Sequence, residues 1–413
     1  TVRERSALVI LVVGMVALLC AACSPATAPG SGAGMSPSST SAPGETAPPA
    51  SGADGGGSPE QSPGAPTGAD PLEGWTLEEQ IGQLFMVGVD VSAQQDISWE
   101  VVPDDHVGNV FLAGRSHATP GEVATLVRSF TDMVGPDSTH GTPMLVATDQ
   151  EGGAVQVLQG PGFSAIPAAL EQSALSPGDL VGAARDWGDE LASAGVNLNL
   201  APVMDLVDGD PQQNPPIGVW GRHYGATVEE VVEHANAFSR GMRDAGVAVA
   251  VKHFPGLGRV AQNTDTQAGV SDTVTTRDDA SVEVFARGIA DGAQMVMMST
   301  AVYERIDAGV PAAFSSVAVT EMLRGDLGFR GVVITDDLSG AAQVQAWSPG
   351  ERAVRALQAG CDIVLVSASP QQIPEMVDAV VERARADADF AAKVRASAAR
   401  VLTLKAEMTP AGG

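Results

Sequence analysis

The chain predicts a single catalytic domain of the (β/α)8, TIM-type barrel class, on three observations. Eight short apolar runs recur along it, helix-length segments separate them, and charged residues stand at the ends of three runs. The runs cover residues 81–89, 107–112, 144–148, 196–202, 247–254, 294–299, 331–335 and 362–367. They are continuously apolar rather than alternating, as expected where helices cover both faces of a parallel sheet. Segments 121–134, 179–194, 228–245, 278–291 and 350–359 have helical length and lie between them. Such alternation over about 340 residues suits a barrel, with a doubly wound open sheet as the other arrangement of the same units. Segment 387–406 reads as a closing helix.

Polar residues sharpen this reading. Asp149 follows MLVAT, Lys252 and His253 follow VAVAV, and Asp336 follows GVVIT. Each stands at the C-terminal end of its run, the rim where barrel enzymes carry their chemistry. Salt bridges between strand ends are the structural alternative.

Composition narrows the partners. The 413 residues carry 50 acidic and 23 basic side chains, for a net charge of −27. That excess argues against nucleic acid or an anionic membrane surface as a partner held through phosphates. The His residues show no paired ligand spacing, so no metal is expected, and no cofactor. PGLG lacks the strand-to-helix context of a phosphate loop, and no G-x-S-x-G elbow is present.

The N-terminal part reads differently. Arg3 and Arg5 precede an apolar stretch ending in Cys20-Ala21-Ala22-Cys23, a secretory signal over residues 1–23. Ala21 and Ala22 before Cys23 resemble a bacterial lipobox, which implies a lipid on Cys23. A plain secretory signal or an uncleaved anchor is the alternative. Residues 24–71 are rich in Ser, Pro, Gly, Ala and Thr and predict a disordered tether, with a reach on the order of 35–40 Å. The barrel domain is then expected over residues 72–408, on the outer face of a bacterial cytoplasmic membrane. Cys361 is left as its one cysteine, a small buried hydrophobe.

Six segments together resemble glycoside hydrolase family 3. They are DQEGGAVQ (149–156), GVNLNLAPVMDL (195–206), NPPIGVWGRHYG (214–225), KHFPGLG (252–258), GFRGVVITDDLSG (328–340) and ALQAGCDIVLV (356–366). The segment from Lys252 is similar to the family signature K-H-F-P-G-x-G-x4-D-[ST]-H. Their order and single-barrel extent most resemble bacterial β-N-acetylglucosaminidases acting on cell-wall fragments.

The resemblance implies a retaining mechanism with two groups flanking the anomeric carbon. Asp336 corresponds to the family nucleophile, while its neighbour Asp337 reads as a cap. Asp149 would accept from sugar hydroxyls, and Lys252, His253 and Arg222 would donate to them. Glu151 reads as buried and structural. Two departures stand out. Val157 occupies the place of a sugar-contacting Arg, and the spacing before Arg222 is longer than usual.

The acid/base position departs too. Keeping the signature spacing puts Asn263, Thr264 and Asp265 on the family's Asp-[ST]-His dyad. Asp265 then stands where His is expected, with Asn263 as its orienter. Sliding by two residues gives Asp265-Thr266-Gln267 and leaves no proton carrier, and a turn role for Asp265 is the bland reading. The chain therefore reads as an exo-acting β-N-acetylglucosaminidase on a β-glycoside or cell-wall saccharide. The alternatives are a β-glucosidase or glycoside phosphorylase on the same barrel, or a catalytically impaired sugar-binding lipoprotein.

Overall fold

The computed structural model describes residues 70–92 and 97–408. The expected signal segment, Cys23 and the tether up to residue 69 lie outside the described residues.

The eight apolar runs form the barrel strands. In chain order they are β1 (Phe85–Asp90), β2 (Asn109–Ala113), β3 (Leu145–Thr148) and β4 (Leu198–Asn199). Then come β5 (Ala248–Phe254), β6 (Met295–Met298), β7 (Val332–Thr335) and β8 (Val364–Val366). All neighbours pair in parallel, in the order β7-β6-β5-β4-β3-β2-β1-β8. A parallel bridge from Ile334 to Ile363 joins the two outer strands, and the Thr335 N–H donates to the Ile363 carbonyl at 3.0 Å. This contact closes the sheet into a barrel and rules out the open doubly wound arrangement.

Helices pack outside the barrel, and their boundaries follow local chemistry. Helix α1 (Leu77–Gly82) begins at Thr76, whose hydroxyl accepts from the Glu79 N–H while the Glu79 carboxylate accepts from the Thr76 N–H. That capping box claims Ile81 for the helix, so β1 starts at Phe85 rather than at residue 81. Helix α2 (Ser98–Asp104) follows β1. Helices α3 (Pro120–Thr131), α4 (Pro177–Ser193) and α5 (Val228–Asp244) have Thr119, Ser176 and Thr227 as N-caps. Helix α6 (Ala280–Ala290) is capped by Asp279, and α7 (Pro349–Ala359) by Ser348. Helix α7 ends on Gly360, at φ 113°, a conformation suited to glycine.

Strand β4 is shorter than the run that predicted it, and side-chain amides supplement its backbone ladder toward β3. Asn197 accepts from the Val146 N–H and donates to the Met144 carbonyl, at 2.8 and 3.0 Å. Asn199 brackets Gln150 in the same way, at 3.0 and 3.1 Å.

Helices α1 and α2 go beyond the expected elements, as do a π-helix at Val317–Asp326 and helix α8 (Ile373–Ala386). The closing helix is α9 (Ala388–Met408), whose entry is set by Asp387 accepting from the Asp389 and Phe390 N–H groups. Cys361 is fully buried beside the Ala313 carbonyl, and burial pushes its thiol up.

Candidate active site

The C-terminal ends of β3, β5 and β7 face one cavity of about 460 Å³. Asp149, Arg222, Lys252, His253, Asp265 and Asp336, the six residues singled out from the sequence, all line it, with Asp337, Met297 and Phe111.

On the β3–β5 wall, charges are tied together. Lys252 is buried near the C-terminal end of β5, in reach of two carboxylates at once: Asp149 and Glu151, each at 2.6 Å. Glu151 stands in a short hairpin, Gln150–Gly152 against Val155–Gln156, that leaves the end of β3. Arg222 meets it with a fork, Nε at 2.8 Å and Nη2 at 2.7 Å, and sends Nη1 to the Pro216 carbonyl at 2.8 Å. Burial alone would raise the Glu151 carboxyl, but the Arg222 and Lys252 charges outweigh it and hold the group at about 2. For Lys252 burial works against the charge, and Asp149 and Glu151 overcome it, raising its pKa. Glu151 is thus the buried anion that keeps two cations fixed.

His253 is held by Asp205, a residue that sequence reasoning passed over. Asp205 accepts from the His253 N–H at 3.1 Å and from the Leu257 N–H at 2.8 Å, and its other oxygen lies 2.8 Å from His253 Nδ1. A carboxylate only accepts, so Nδ1 carries the hydrogen and Nε2 is the free ring nitrogen. The available signal was a single acid in the apolar stretch APVMDL just beyond β4.

Asp336 follows β7 directly, and its N–H donates to the Met298 carbonyl at 3.0 Å. Its carboxylate accepts one protein hydrogen bond, from the Asp337 N–H at 2.8 Å. Enclosure in the cavity pushes this carboxyl up to about 6, and the charge of Asp265 pushes the same way, against His253 and Lys252. Asp337 is occupied differently. Its two oxygens accept from the Ser339 and Ser367 N–H groups, the Ser339 hydroxyl and the Gly340 N–H, at 2.6–3.1 Å. This is a capping role.

Asp265 is exposed at the cavity edge, on the loop after β5. Asn263 does not orient its carboxylate as expected. Instead the Asn263 side-chain oxygen accepts the Asp265 backbone N–H at 2.8 Å, an Asx turn that shapes the chain. Val157 is a buried core residue. Among the described residues no cluster of three or more His, Cys, Asp or Glu could hold a metal.

Residues 76–404 match the Glycosyl hydrolase family 3 N terminal domain. The chain belongs to glycoside hydrolase family 3. Among curated proteins, a beta-hexosaminidase of Xylella fastidiosa is 36% identical over 309 residues, 73% of this chain and 87% of that protein. One from Alkalilimnicola ehrlichii is 34% identical over 279 residues, 66% of this chain and 76% of that one. A crystal structure of a beta-N-acetylhexosaminidase from Beutenbergia cavernae is 58% identical with a TM-score of 0.79, covering 80% of this chain and 98% of that one. A family 3 beta-N-acetylglucosaminidase from Paenibacillus is 32% identical with a TM-score of 0.73, covering 81% of this chain and 62% of that one.

As a family 3 hydrolase, the chain offers its glycan substrate a rim with donors, acceptors and two open carboxylates. The charge-paired wall can hold sugar hydroxyls in fixed positions. Among the cavity carboxylates without an ion pair in the described residues, Asp337 is filled by capping donors, which leaves Asp336 and Asp265 open to a substrate.

Proposed function

We propose that the chain is a retaining, exo-acting β-N-acetylglucosaminidase in which Asp336 is the nucleophile and Asp265 the acid/base. The observation that carries this reading is the pair itself. Two carboxylates with neither cationic partners nor a capping role share one cavity, opposite a wall of paired donors and acceptors. The names of the similar proteins support N-acetylglucosamine as the sugar.

In the first step an Asp336 oxygen bonds the anomeric carbon while the bond from that carbon to the leaving oxygen breaks. Asp265 donates its proton to that oxygen, so the aglycone departs neutral. Asp149 accepts from ring hydroxyls, Lys252 and Arg222 are turned to the sugar as donors, and His253 Nε2, without a hydrogen, accepts from a hydroxyl. Attachment to Glu151 and Asp205 holds those groups still, which favours a near-attack geometry. In the second step Asp265, now a carboxylate, takes a proton from water. The water oxygen bonds the anomeric carbon, and the bond to Asp336 breaks. Esterification has by then removed the negative charge of Asp336, so the Asp265 carboxylate faces no like charge when it acts as base.

An aryl-glycoside panel tests this reading. Turnover of a β-N-acetylglucosaminide well above that of a β-glucoside, unchanged by added phosphate, is expected. Preference for the glucoside, or glycosyl phosphate as the product, would make it a glucosidase or a phosphorylase. Saccharide binding without turnover would make it a binding lipoprotein.

A cell-wall-derived saccharide as substrate and a lipid at Cys23 complete the proposal and rest on the sequence alone. Incorporation of labelled fatty acid by the full chain, lost in Cys23→Ala, would bear out the anchor; equal labelling of both would refute it.

A further inference from the structure

The loop bearing Asp265 is gripped from one side by the chain that bears Asp336. Its first part is fixed elsewhere. The Asn214 side chain donates to the Leu257 and Val260 carbonyls at 2.8 and 2.9 Å. Arg259 reaches Asp208 at 2.6 Å and Asp279 at 2.8 Å. Gly258 lies so close to the Leu206 carbonyl that a Cβ would stand 1.7 Å from its oxygen. Beyond Val260 the loop turns outward, and from residue 261 to 270 only Thr264 and Val270 are buried.

Those two residues are the ones that Gln343 holds. Its backbone N–H donates to the Thr264 carbonyl at 3.1 Å. Its side-chain oxygen accepts from the Val270 N–H, and its side-chain nitrogen donates to the Val270 carbonyl, both at 2.9 Å. Next to it, the Ala342 N–H donates to the carbonyl of Asp265 itself at 3.1 Å. Gln343 is 6% exposed and lies on a short 3-10 turn, Ala342–Val344, seven residues beyond Asp336. It touches neither the cavity nor a sugar-binding side chain. Backbone bonds alone join the two loops at one end. At the other the amide brackets both polar groups of Val270, whose carbonyl also accepts from the Val302 N–H at 3.1 Å. Among the described residues, Gln343 alone thus ties this end to the loop that bears Asp336.

We infer that Gln343 is a positioning residue that sets the distance between Asp265 and Asp336. The inference rests on the proposed roles of those two aspartates. Carboxylate separation decides whether a β-glycosidase has room for water beside the sugar or for direct attack by the nucleophile. A group that gauges this separation acts on the proton-transfer step through Asp265, and leaves Asp336 and the sugar-binding wall as they are.

The test compares kcat/KM, which reports the glycosylation step, on an alkyl and a dinitrophenyl β-N-acetylglucosaminide. Gln343→Leu should lose roughly 10–100-fold on the alkyl substrate, since a shift of about 1 Å can cost 10²-fold, and less than about 3-fold on the dinitrophenyl one. Azide should accelerate turnover of the dinitrophenyl substrate by Gln343→Leu and yield the glycosyl azide, with no such effect on the parent protein. Gln343→Glu removes the donor to Val270 and should behave alike, so the comparison survives if the Leu variant does not fold. A lowered melting temperature with equal losses on both substrates, or no loss at all, would overturn the inference. Asp265→Asn is run in parallel. If it loses both substrates equally, the acid role itself fails; if it discriminates while the Gln343 variants do not, only the positioning inference fails.

Discussion

On the β3–β5 side of the cavity every charged side chain is bonded to another: Lys252 to Asp149 and Glu151, Arg222 to Glu151, and His253 to Asp205. On the opposite side, no ion pair holds Asp336 or Asp265 among the described residues, the Asp336 carboxylate accepts one backbone N–H, and the loops bearing them are joined through Ala342 and Gln343. The difference separates two tasks. Binding a neutral sugar calls for donors that do not move, and mutual ion pairing immobilises them in a buried setting. Moving a proton and forming an ester call for carboxylates free of cations, because a bound cation would lower their basicity and nucleophilicity.

The largest effect should come from the unpaired side. Asp336→Ala is expected to lower kcat by at least 10³-fold on any aryl glycoside, on the order seen when a nucleophile is removed. Undiminished turnover would break the comparison at its base. Next, Asp265→Asn should lower kcat/KM about 10²–10⁴-fold on substrates with poor leaving groups and far less on activated aryl ones.

The paired side should respond through stability and binding together. Glu151→Gln leaves Lys252 and Arg222 without their shared anion, at a cost of about 3–5 kcal/mol in unfolding free energy. The folded Glu151 carboxyl lies at about 2, below its ordinary 4.5. Its contribution to stability is therefore present above about pH 4.5 and is lost as pH falls toward 2. Denaturant titrations at pH 3 and pH 6 should show a smaller gap between the parent and Glu151→Gln at the lower pH. An equal gap at both would mean that the ion pairs are not what holds this wall.

The smallest effect is a pH limb. Asp336 sits at about 6, above its ordinary 3.8, and attacks only when ionised. On an activated dinitrophenyl substrate, which needs no proton from Asp265, the kcat/KM profile should rise with pH through about 6. In Asp265→Asn, without the neighbouring negative charge, that limb should move to lower pH. A limb that stays in place would separate the two carboxylates electrostatically.

Much of this was legible in the sequence, for reasons that differ between the two sides. The barrel followed from continuous apolar runs, and Asp149, Lys252 and Asp336 from their places at strand ends, where one residue fixes which rim is reached. Closure needed the bridge from Ile334 to Ile363, which no periodicity reports. Glu151 was read as structural, and its fork with Arg222 gives the physical reason. Asp205 and Gln343 escaped because each acts on a segment distant in sequence, His253 in one case and residues 264–270 in the other. Asn263 was given the wrong target. An Asn two residues before an Asp closes an Asx turn on the backbone N–H, and this local bond displaces any contact with the carboxylate.

The most direct test of the division between the two walls is to trap the intermediate and map it. A slow, activated fluorinated N-acetylglucosaminide should leave one sugar covalently attached, and peptide mass spectrometry should place it on Asp336. Attachment to Asp337 or Asp265, or turnover without any covalent sugar, would contradict the account.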